Sequence, residues 1–172
     1  MSDVRCKKTM TVMDDFEKMN WHDNHIHNFH IRESEDDWSG VLELDIDYIL
    51  EWQNAENNGF NFLINPATLC FHGVTDLVIK IDYSKAPARV GPIMIHEIKR
   101  ELNSFPNGYS TFNWSIELGW PTESFISFSA GGFSQGLRGK PVLSGSQYLL
   151  PLERQASLHL THHSSGTPNG AP

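Results

Sequence analysis

Most of the groups in this chain that could do chemistry fall in one short stretch. WHDNHIHNFH, residues 21–30, carries four histidines and an aspartate. On an extended strand Asp23, His25 and His27 would share a face, with neighbours roughly 6–7 Å apart. Imidazoles at i and i+2 can grip one divalent transition metal, and a carboxylate adds a harder ligand. His22, Asp23, His25 and His27 are therefore the candidate metal set. Further carboxylates, Asp45 and Asp47, lie on the strand expected next to it, but on the parity opposite that strand's core residues. The two sets converge only if a bulge switches the face. The competing reading, which we favour, makes these histidines structural groups at a sheet margin.

Other motifs are weaker. Gly132-Phe133-Ser134-Gln135-Gly136 has the form of a nucleophile elbow. An elbow needs a strand, a strained turn and a helix, whereas LRGKPVLSG follows here, without helical period. His96-Glu97 lacks the second histidine of a zincin. There is no glycine-rich phosphate loop or dinucleotide fingerprint, and Asn113-Trp114-Ser115 is a sequon in form only. The five tryptophans suggest core and rim packing before ligand stacking.

The elements that must position these groups are strands. In VLELDIDYILEW, residues 41–52, Leu42, Leu44, Ile46, Tyr48, Leu50 and Trp52 share one parity, and Glu43, Asp45, Asp47 and Glu51 the other. Period two over this length predicts a central strand with one dry and one wet face. Trp21–Arg32 reads as the strand before it. Further strands are expected at 60–64, ended by Pro66, at 67–71, ended by Gly73, and at 77–83. A less regular one is expected at 93–101, then 112–120, 125–130 and 133–137. Residues 142–152 are either a last strand or an irregular cover for a sheet edge. Asp14 or Asp15 caps one short helical turn through Phe16 and Met19. The expected fold is an all-β antiparallel sandwich or open barrel of about eight to nine strands with minimal helix, a closed lipocalin-like barrel being the competitor. Residues 1–13 read as a mobile leader, 14–154 as a single β domain and 155–172 as a disordered tail.

A chain of 172 residues with 39% hydrophobic content can bury a core of its own. No run is long and apolar enough for a membrane span, no signal peptide opens the chain, and Cys6 and Cys70 have no metal or redox spacing. A cytoplasmic protein is the expectation. Net charge is −8, unevenly spread: residues 14–56 hold thirteen acids against Lys18 and Arg32, a net of −11. That face repels nucleic acid and attracts a cation or a basic partner. Glu33, Glu35, Asp36, Asp37, Glu43, Asp45 and Asp47 are the candidate partner-binding residues. Exposed sheet edges add the prospect of a homodimer.

The order of motifs also carries a resemblance. Trp21-His22-Asp23, then LELDIDYILEW, then Thr68-Leu69-Cys70-Phe71-His72-Gly73-Val74-Thr75-Asp76-Leu77 resembles a group of small, uncharacterised bacterial β-rich proteins. That group is similar to the immunity protein 50 family of polymorphic-toxin systems. The resemblance covers residues 20–83, with looser agreement to about 140. It implies a β-sheet domain that binds and neutralises a toxin, with no catalytic residue and no cofactor to carry over. We therefore expect a non-enzymatic binding protein. The alternatives are a metal-binding protein or metal-dependent enzyme built on the histidine cluster, and a small-ligand carrier with a cavity between sheets.

Overall fold

The alternation of residues 41–52 becomes the wall of a barrel, because Leu42, Leu44 and Ile46 point inward and are wholly buried. The computed structural model describes residues 13–34, 38–56, 59–85 and 90–159. Its strands are β1 (His25–Glu33), β2 (Gly40–Asn54), β3 (Phe60–Lys80), β4 (Ile93–Ser104), β5 (Ser110–Trp120), β6 (Ser124–Ala130), β7 (Gly132–Leu137) and β8 (Val142–Ser144). One helix, α1 (Pro151–His159), follows them, and a 3-10 turn, Met13–Lys18, precedes them.

All eight strands belong to one antiparallel sheet, as the alternation requires. The neighbour order β2-β1-β4-β5-β6-β3 returns from β3 to β2, so six strands form a ring. The seam of the ring is short. β1 meets β4 only at His25–Met94 and Ile26–Ile93, extended by backbone bonds from Asp23 to Ile95 and from Ile95 to Asn24, both 2.9 Å. Beyond His27 no further strand pairs with this side of β1 among the described residues.

Inside, Ile26, Leu69, Phe71, Ile95, Trp114, Ile116, Ile126 and Phe128 join the β2 residues in one core. Trp114 packs its indole against Phe71, Phe128 and Phe133 and donates to the Ala130 carbonyl at 3.2 Å. Phe16 and Trp21 close one end of the barrel, both in ring contact with Phe133. The space between sheets expected for a ligand carrier is thus filled by side chains.

Four expectations need correction. β1 starts at His25 rather than Trp21, because Trp21 turns inward as part of that plug. The strands expected at 60–64, 67–71 and 77–83 are mainly one, β3, which runs through Pro66 and Gly73. Pro66 is tolerated because its carbonyl accepts Arg138 N–H; its missing donor faces the same edge, in the gap between β7 and β8. Gly73, at φ 68°, and Asp76, at φ 53°, bend the strand where it leaves β7 for β6. At the far end of β2 a register shift between Ile49 and Glu51 reverses the parity. Leu50 and Trp52 stay largely exposed, while Ile49 joins Phe62, Ile64 and Leu149 in a second small core outside the wall.

The disordered tail expected from Gln155 is the last correction, for residues 155–159 alone; the rest of it, 160–172, and residues 1–12 of the expected leader lie outside the described residues. Residues 155–159 complete α1, and Ser157 is fully buried. The signals for this helix are local: Pro151 suits a first helical position, and Glu153 reaches back to Leu150 N–H at 2.8 Å. Ser157 then bonds the Lys140 carbonyl at 2.6 Å. The approach is close enough that a Cβ on Gly139 would lie 2.9 Å from the Ser157 carbonyl oxygen.

Candidate functional site

The wet parity of β2 is not wet. Glu43 and Asp47 are buried, and the segment from Arg138 to His159 folds over the outside of the strand. Arg154 bridges two rungs of the stripe, with Nη1 on Asp47 and Nη2 on Asp45, and Arg138 also pairs with Asp45. Asp47 further accepts His27 Nε2 at 2.7 Å and Leu149 N–H at 2.8 Å. Glu43 is held by Arg32 at 2.8 Å. Two planar guanidinium forks on adjacent outward carboxylates make a network in which each buried charge has a partner. The sequence marks Glu43, Asp45 and Asp47 as partner-binding residues; the structure assigns them to holding the chain together. Glu33 remains exposed, and Glu35, Asp36 and Asp37 lie outside the described residues.

The bulge that the two carboxylate-histidine sets need in order to meet does exist. Ile26 pairs with Ile46 and Asn28 with Asp45, so His27 is an extra residue in β1. The slip puts His27 on the outer side against Asp47 and sends Phe29 and Ile31 to the inward parity. It does not draw the four candidates into one ligand set. His22 donates from Nδ1 to the His96 carbonyl at 2.6 Å. Asp23, in the left-handed region at φ 64°, accepts Gln147 Nε2 at 2.9 Å. His25 is buried with its ring 5.0 Å from that of Tyr148. Among the described residues no three metal-ligating side chains converge. The four candidates instead tie β1 and the turn before it to three different parts of the fold.

Ser134 of the elbow-like motif sits within β7, with strand on both sides of it, and bonds His72 Nε2 at 2.8 Å. A nucleophile-base pair needs a third group to orient the base. Glu43 lies nearby, across Cys70 in the ladder, but its carboxylate is bonded to Arg32. A groove of about 490 Å³ lies outside the barrel, where Tyr148, Leu149, Pro151 and Leu158 meet His27 and Arg154.

Arg138 and Arg154 are the residues that sequence reasoning missed. Their signal was the Pro151 and Glu153 pair that starts α1, which shows that the chain after 150 is ordered. Comparison with protein-family models and with curated proteins returned no match. No helix among the described residues is long and apolar enough to cross a membrane.

Burial sets the titration of two of these histidines. It is the main cause that lowers His25, opposed by the Asp23 carbonyl, and the main cause that lowers His72, reinforced by the Arg32 charge. A folded pKa below the ordinary 6.5 means that the unfolded chain binds protons first as pH falls. The stability that these neutral rings contribute is complete above that value and is lost progressively below it. The urea midpoint should therefore drop between about pH 7.5 and about pH 5. His72→Gln, which keeps a partner for Ser134, should flatten that slope; an unaltered slope would assign the acid sensitivity elsewhere.

Proposed function

We propose that the chain is a non-enzymatic binding domain for a basic protein, in the manner of an immunity protein that neutralises a nuclease-type toxin. The observation that supports this is the end of the β1–β2 hairpin. Trp38 is 91% exposed and Ile31 is 52% exposed, beside an exposed Glu33. Ser34 N–H bonds the Ser39 carbonyl at 3.0 Å, and Glu35, Asp36 and Asp37 lie between them in sequence. An exposed tryptophan beside a run of acids has the composition of a protein-binding hot spot with a steering field around it. The acids of β2 add little to that field, because Arg32, Arg138 and Arg154 offset Glu43, Asp45 and Asp47. The net charge of −8 therefore belongs to the rest of the chain, the hairpin turn included.

The test is association with basic nuclease-type toxin domains at about 0.05 M and about 0.3 M salt. Neutralising Glu33, Glu35, Asp36 and Asp37 to their amides should slow association about tenfold at low salt and flatten its salt dependence. Trp38→Ala should instead speed dissociation. An on-rate unchanged by the four amides would contradict this reading.

A further inference from the structure

Among the described residues, the half of β1 that follows the bulge is a sheet edge: from Asn28 to Glu33 it pairs with β2 on one side, and no strand pairs with its other side. Five of these six residues are exposed, although the β2 residues opposite, Val41 to Leu44, are buried. Phe29 is 37% exposed and Ile31 is 52% exposed, both on the inward parity that an intact barrel would cover. Soluble proteins blunt such edges with lysine, proline or a covering loop. Residues 28–33, NFHIRE, contain neither lysine nor proline, and Arg32 leans onto Glu43. The free edge is about 20 Å long, an ordinary strand length.

We propose that this edge is the docking site of the partner, which adds one extended basic segment as a further antiparallel or parallel strand beside β1. The inference rests on the basic-partner reading above and deepens it. Main-chain hydrogen bonds to Asn28–Glu33 would supply the affinity. Apolar side chains facing Phe29 and Ile31 and basic ones reaching Glu33 would supply the selectivity. Charge decides between this occupant and a second copy of the chain. Two copies meeting edge to edge would bring together two chains of net −8. A lysine-rich strand meets the opposite sign.

The experiment uses the full chain and synthetic peptides of about eight residues, one strand long. One alternates lysine and valine, a second is the same peptide N-methylated at alternate amides, and a third alternates threonine and valine. Calorimetry reads affinity, and sedimentation velocity reads oligomeric state. The lysine-valine peptide should bind, N-methylation should weaken it at least about tenfold, and the neutral peptide should bind more weakly. Ile31→Lys, at a position more than half exposed, should lose lysine-valine binding with its melting temperature unchanged.

Equal binding of the N-methylated peptide overturns strand addition and leaves the basic-partner reading standing. Binding of the neutral peptide as tight as the basic one, still lost on Ile31→Lys, keeps strand addition and removes the basic partner. Failure of all the peptides to bind overturns the proposal. So does a dimer that Ile31→Lys dissociates, since the occupant is then a second copy.

Discussion

Asp47→Ala should destabilise the protein by about 3–5 kcal/mol, the cost of removing one partner from a buried ion pair. For a chain of this size that lowers the melting temperature by about 10 °C. The reason is the number of groups that depend on this carboxylate. Asp47 is completely buried, and it neutralises Arg154, accepts His27 and satisfies the Leu149 amide. Arg154 is itself almost buried, so the Nη1 that loses Asp47 cannot turn to water, while Nη2 keeps Asp45. Replacing both partners, Asp47→Leu with Arg154→Leu, should recover about half of the loss, since apolar substitutes for a buried pair are commonly tolerated. The Leu149 N–H would still lack its acceptor, and Asp45 would keep Arg138. A loss below about 1 kcal/mol for Asp47→Ala would mean that the outer face of β2 is solvated and that its acids are free for a partner.

The barrel interior was legible in the sequence because burial on one face leaves a period of two. Leu42, Leu44 and Ile46 in β2, and Trp114, Ile116 and Leu118 in β5, sit where alternation puts them. What alternation cannot register is a change of phase. The bulge at His27 is a slip of one residue with no glycine or proline to mark it, so the histidine face and the aspartate face looked separate. The irregularity of the strand expected at 93–101 has the same cause: Ile95 pairs with Leu118 and Glu97 with Glu117, which leaves His96 as the extra residue. Nor does local pattern show which edge of a strand has a neighbour. Pro66 looked like a terminator because a central strand needs its donor, yet it stands where the neighbouring edge has a gap.

The candidate site was the least legible part. Asp45 and Asp47 read as surface because their partners, Arg138 and Arg154, lie about a hundred residues downstream. Clustered carboxylates on one strand face carry the same pattern whether water or arginine covers them. The acids at 33–37 and those of the strand thus looked alike in sequence. In the fold, Glu33 is exposed, whereas Asp45 and Asp47 brace the segment from Arg138 to Arg154 against the barrel and Glu43 ties β2 to Arg32 of β1.

Amide hydrogen exchange on the free protein tests the open edge of β1 most directly, since it needs no partner and reads each strand separately. Leu42 to Ile46 lie between β1 and β3, so their amides open only with the whole fold. In an edge strand alternate N–H groups point away from the only neighbour and stay in water. Within Asn28–Glu33, alternate amides should therefore exchange at nearly the rate of an unfolded chain, at least about a thousandfold faster than those of Leu42–Ile46. Protection of every amide from Asn28 to Glu33 to the level seen in β2 would mean that the edge is already covered, and the docking surface assigned to it would not exist.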